Sequence, residues 1–124
     1  MQIRRLVFLG PVLACTLVGL AHADTVLYSA PVVKQAGEGV TCVALNVGTK
    51  TRNLKADVIE VFSNTILDSE QDLAAPGAIV SASGDGVDGT YCRFSIDGSK
   101  REIRASAMVR VILTGETLSV VPVQ

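Results

Sequence analysis

Thr90-Tyr91-Cys92-Arg93-Phe94-Ser95-Ile96-Asp97-Gly98-Ser99-Lys100-Arg101-Glu102-Ile103-Arg104-Ala105-Ser106-Ala107-Met108-Val109-Arg110-Val111 decides the fold class of this chain. Cys92, Phe94 and Ile96 alternate with Arg93 and Ser95. Ile103, Ala105, Ala107, Val109, Val111 and Leu113 alternate in the same way with Arg104, Ser106 and Arg110. A period of two is the mark of strands with one face buried. Asp97-Gly98 between the two runs reads as a tight hairpin turn, because both residues tolerate the positive φ that a two-residue turn demands. With those two as turn residues, Ile96 faces Ser99, Arg93 faces Glu102, Cys92 faces Ile103 and Tyr91 faces Arg104. A slip by one residue would turn the whole apolar set to water, so the alternation is firm.

Outward from this pair, short runs rich in Val, Ile, Thr and Tyr recur between Gly, Pro, Asn and Asp, and no run keeps a helical period. Strands are predicted near 25–34, 39–48, 53–62, 77–83, 89–97, 100–113 and 117–123. Runs 39–48 and 53–62 are apolar on both parities, which implies either two covered faces or a bulge. Pro31 and Pro122 cannot donate to a ladder, so the first and last strands are expected at sheet edges, open to strand addition. The stretch 63–76 reads as irregular: a turn at Ser63-Asn64, a solvated acidic run from Asp68 to Asp72, and a turn at Pro76-Gly77.

The first two dozen residues have another character. Arg4 and Arg5 precede an apolar run from Leu6 to Leu20, and Ala21-His22-Ala23 matches a small-x-small cleavage site. Residues 1–23 therefore read as a signal peptide cleaved after Ala23, and residues 24–124 as one domain, periplasmic or extracellular. Val12-Leu13-Ala14-Cys15 offers a second reading: acylation at Cys15 would give a lipid-anchored envelope protein. Setting the leader aside removes two of the 11 basic residues and none of the 12 acidic ones, leaving a mildly acidic domain without His or Trp. That balance argues against nucleic acid. No apolar stretch after Ala23 is long enough for a membrane span. The two cysteines left, Cys42 and Cys92, are expected to be bridged in an oxidising compartment.

The expected architecture is all-β: a seven-stranded antiparallel sandwich with a bridge from the second strand to the fifth. This resembles the immunoglobulin-like sandwich, in which a disulfide links the sheets. The core Trp of antibody domains is absent, and position 90, two residues before the second cysteine, is Thr rather than Tyr. At residue level, Cys42-Val43-Ala44-Leu45-Asn46-Val47-Gly48, Leu73-Ala74-Ala75-Pro76-Gly77, Tyr91-Cys92-Arg93-Phe94 and the strand from Arg104 to Val111 are similar to a loose group of small exported bacterial proteins. That resemblance implies a secreted β-sandwich and supplies no catalytic residues.

Chemistry-bearing motifs are few. Gly84-Asp85-Gly86-Val87-Asp88-Gly89 fits G-x-G-x-x-G by letter, but a strand follows where a dinucleotide site needs a helix. Asp85 and Asp88 are too few oxygen ligands for calcium without further groups. A Ser or Cys nucleophile has no His base in the mature chain, which leaves only carboxylates such as Asp57, Glu60, Asp68, Glu70, Asp72 and Asp97 for a small enzyme. No cofactor or metal is expected. Arg93, Arg104 and Arg110, with Met108, are the candidate partner-binding residues on a solvent-facing side, for another protein or a cell-envelope component. The reading is an exported, non-catalytic interaction or structural module.

Overall fold

The computed structural model describes residues 24–85 and 89–123. The expected leader, with Cys15, and part of the Gly84–Gly89 loop, with Asp88, lie outside the described residues. The chain is all-β, with eight strands where seven were expected: β1 Thr25–Tyr28, β2 Glu38–Asn46, β3 Arg52–Glu60, β4 Ile66–Ala74, β5 Ile79–Gly84, β6 Thr90–Ile96, β7 Ile103–Val111 and β8 Thr117–Val123. They form two antiparallel four-stranded sheets, one in the order β1-β6-β3-β4 and the other β5-β2-β7-β8. The unexpected strand is β4, which falls in the acidic stretch read as loop. It is an edge strand paired only to β3, and all but one of its residues are outside the core, so its sequence carries no apolar alternation.

The Asp97-Gly98 hairpin is not formed. β6 pairs with β1 and β3, whereas β7 pairs with β2 and β8, so residues 97–102 carry the chain from one sheet to the other through a short 3-10 turn at Lys100–Glu102. Among the described residues, the glycines with positive φ are Gly37, Gly77 and Gly115, not Gly98, so Gly98 lacks the backbone conformation that the hairpin reading requires. The Glu102 carboxylate lies close over Gly98, where a Cβ would require that side chain to move. Asp97 continues alongside β3, its Oδ1 accepting from the Asn53 N–H at 2.8 Å. The burial parity nevertheless holds on both strands, with Cys92, Phe94 and Ile96 facing inward from β6 and Ile103, Ala105, Ala107 and Val109 from β7. Two strands facing each other across a sandwich bury the same parity as two neighbours in one sheet, so alternation cannot tell these arrangements apart. Leu113 does not belong to that set. The strand ends at Val111, and Leu113 is 95% exposed on the following turn.

Both strands with apolar residues on two faces are central. On β2, Val40, Cys42, Ala44 and Asn46 are buried, and Val43 and Leu45 are half-covered on the outer face. On β3, Leu54, Ala56 and Val58 enter the core while Asp57 and Ile59 are buried on the outside; the pairing with β4 also shifts at Val58/Ile59. β1 and β8 are edge strands; Pro122 lies within β8, whereas Pro31 lies beyond β1, which ends at Tyr28 and not near residue 34 as expected.

The sheets are joined covalently. Cys42 at the centre of one and Cys92 at the centre of the other form the expected disulfide, with Cα atoms 5.6 Å apart. Face-to-face sheets normally sit about 10 Å apart, so the backbones converge here. Small side chains permit it: Cys42 lies between Ala82 and Ala107 in the register of its sheet. Replacing both cysteines with Ala is expected to cost about 2–4 kcal/mol, on the entropy of a 50-residue loop. Urea midpoints of the variant and the oxidised parent measure it, and equal midpoints would contradict a stabilising bridge.

Candidate functional site

The four candidate partner-binding residues do not share a face. Arg93 lies on the outside of the β1-β6-β3-β4 sheet, and Arg104, Met108 and Arg110 lie on β7, on the outside of the other sheet. Nor does Arg93 meet Glu102. Its Nε and Nη2 donate to Asp57 Oδ2 at 2.9 and 2.8 Å, and Ser69 Oγ donates to Asp57 Oδ1, with Lys55 Nζ 3.8 Å away. Asp57 is only 2% exposed, so Arg93 is committed to a buried carboxylate. Tyr28 and Tyr91 stand beside this pair with ring centroids 6.4 Å apart. The Arg93–Asp57 contact is a structural tie across β6 and β3, a role that sequence reasoning missed because the two residues are distant in the chain.

The other outer face is different. Reading across β5, β2 and β7, the register sets Ile79 beside Leu45 and Arg104, Ser81 beside Val43 and Ser106, and Ser83 beside Thr41 and Met108, with Val120 of β8 next to Met108. Ile79 and Val120 are exposed, Val43, Leu45 and Met108 half-buried. Arg104 and Arg110 are exposed toward opposite ends of this apolar strip, and among the described residues neither forms a salt bridge. At the Arg110 end, Gly39 leaves β2 without a side chain, and a groove of about 350 Å³ opens between Arg110 and Asp85. Thr41 and Ser83 share a hydroxyl hydrogen bond of 2.9 Å in its floor. Ser81, Ser83 and Ser106 lie among these apolar side chains, so the face is amphipathic.

The free edges are less suited to a partner. The Val111 N–H donates to Glu116 O, and the two-residue alternation of the ladder then turns the nitrogen of Pro122 toward the open side of β8, where it has no proton to give. On β5, Ser83 N–H is taken by Asp68 Oδ2 at 3.0 Å. β4 is lined with acidic and polar residues, and β1 is four residues long. Each is a recognised way of discouraging strand addition.

Of the remaining carboxylates, Asp68, Asp72, Asp97 and Glu102 are engaged in the scaffold. Asp97 bonds Asn53, Asp72 bonds the Leu73 N–H, and Glu102 pairs with Arg52 at 3.0 Å. Among the described residues, no three His, Cys, Asp or Glu side chains come together. Arg52, Glu102, Lys50, Thr25 and Ser99 line a polar hollow of about 490 Å³ at the opposite end of the sandwich from Gly39. The Arg52 hydrogen bond, helped by the Ser99 N–H, holds the Glu102 carboxyl below its ordinary range, and Glu102 in turn raises Arg52.

Compared with protein-family models, with curated proteins and with solved structures, the chain matches none. No described helix is long and apolar enough to cross a membrane.

Arg93→Met leaves Asp57 with only Ser69 and the distant Lys55. We expect a loss of about 1–3 kcal/mol in urea unfolding, below the range for fully buried pairs because Arg93 is a third exposed. The Glu102 shift predicts an acid effect. A carboxyl held low in the folded state stabilises above its unfolded value of about 4.3, and that contribution disappears as pH falls through the lower folded value. The parent should therefore lose more stability on acidification below that point than Glu102→Gln, as thermal melts across the range would show.

Proposed function

We propose that this chain is an exported, non-catalytic interaction module, freed from a leader that ends at Ala23. The observation that carries the reading is the apolar strip formed by Ile79, Leu45, Val43, Met108 and Val120, flanked by Arg104 and Arg110 without carboxylate partners among the described residues. A disulfide between two β-sheets supports an oxidising location. The partner that fits is a protein or envelope component presenting an apolar patch with acidic groups near its rim.

The scaffold is immunoglobulin-like in a broad sense, two antiparallel sheets bridged at their centres. Constant-type immunoglobulin domains set the first strand beside the second and the seventh beside the sixth. Here β1 lies beside β6 and β7 beside β2. The likeness is one of architecture, not of strand order.

A photo-crosslinker at Leu45 is expected to trap a discrete partner when the chain is produced with its own leader and exported. The adduct should vanish in Met108→Glu, and a crosslinker at Ser95, on the opposite sheet, should give none. The same adduct from both faces, or its persistence in Met108→Glu, would contradict this face as the docking surface.

A further inference from the structure

The two sides of the sandwich are closed differently. At one side β4 and β5 meet, and Asp68 Oδ2 accepts from the Ser83 N–H at 3.0 Å. At the other side β1 and β8 are the edges, and among the described residues no hydrogen bond joins them. β1 has four residues and buries only Leu27, so it covers little of the core. Val121 and Val123, the residues of β8 that pack on the core, stay half-buried.

A cleft of about 230 Å³ opens on this side, walled by Leu27, Ile103 and Val123 and bordered by Lys100 and Arg104. Leu27 and Ile103 belong to the core, so the cleft reaches the hydrophobic interior. Both cations are exposed, and among the described residues neither forms a salt bridge. Arg104 Nη1 donates to Ile103 O at 3.0 Å, which folds the guanidinium back over a residue of the cleft wall. The carboxylates nearest in the chain are turned elsewhere, Glu102 to Arg52 and Asp97 to the Asn53 N–H. An apolar interior therefore meets charge of one sign at its rim.

We propose that this cleft binds a single-chain carboxylate, with the alkyl chain among Leu27, Ile103 and Val123 and the headgroup between Lys100 and Arg104. The chain gains by leaving water, and the two cations complement one anion. The cleft is smaller than the roughly 300–1,000 Å³ of pockets for drug-sized ligands, which favours one narrow chain over a ring system or a two-chain phospholipid. The site lies between the sheets, apart from the outer strip carrying Met108. Arg104 borders both, but neither assignment rests on the other.

The test is a methyl NMR titration of the exported chain with octanoate, hexanoate and octanol, each kept monomeric. Octanoate is expected to shift the Leu27 and Val123 methyl signals and not those of Leu45. Hexanoate, two methylenes shorter, should bind about tenfold more weakly. Octanol, which has no charge to offer, should also bind about tenfold more weakly. Lys100→Gln and Arg104→Gln should each weaken octanoate about fivefold while keeping the parent's denaturant midpoint, and Met108→Glu should leave it unchanged. Absence of octanoate binding, even where phosphatidylglycerol vesicles bind the chain, would overturn the proposal. So would octanol binding as tightly as octanoate, shifts confined to Leu45, or full affinity in both glutamine variants.

Discussion

The bond between Cys42 and Cys92 connects the interior strand of one sheet to the interior strand of the other, and the rest of the packing adapts to it. With the Cα atoms 5.6 Å apart, the sheet that carries Cys42 has small side chains immediately beside the bridge. Ala82 and Ala107 flank Cys42 accordingly, and Ala44 and Ala105 continue the narrow zone along the same two strands. The larger core side chains, Phe94, Leu54 and Ile96, come from the opposing sheet and are fully buried. Beside the bridge, the sheet of Cys42 thus supplies small residues and the facing sheet supplies Phe94, as interior packing density requires where two surfaces converge. Ser29 completes the arrangement: its N–H donates to Cys92 O, and its Oγ accepts from Cys92 N–H, which pins the short edge strand to the bridge.

Away from the bridge, a single buried amide secures the crossings between sheets. Asn46 is fully buried, and its Nδ2 donates to Lys50 O and Ala74 O, both at 2.8 Å, while its Oδ1 accepts from Gly48 N–H. Its backbone bonds Ala78 and Gly77. The end of β2, the turn into β3 and the turn from β4 to β5 are therefore held by one residue. A buried amide with its hydrogen bonds filled is favourable only in one arrangement, which makes it a selector of geometry as well as a contact.

Legibility differed from element to element for physical reasons. Strand β6 was clear because a half-buried strand must alternate, and Cys92, Phe94 and Ile96 do. β4 was hidden because an edge strand facing water has no apolar period to display. Arg93 looked like an exposed cation because nothing within its own strand reveals Asp57 on the strand beside it. Arg104, Met108 and Arg110 were correctly read as facing outward, but the apolar residues around them come from β2, β5 and β8, and that assembly exists only after the strands are ordered. The cleft beside Lys100 carried no signal, since Leu27, Ile103 and Val123 come from three strands and meet only when the sheets are packed.

By itself the sequence determined the all-β class, the inward parity of the central strands, the pairing of Cys42 with Cys92 and the edge position marked by Pro122. These follow from local rules: side-chain alternation, the missing proline donor, and two cysteines in a chain that reads as exported. Only the tertiary structure decided which strands are neighbours, that Asp97-Gly98 crosses between sheets, that Arg93 is bound to Asp57, and that Leu27, Ile103 and Val123 line one cleft. Strand order is set by contacts between residues far apart in the chain, and the same alternation satisfies a neighbour in the sheet or a partner across the core.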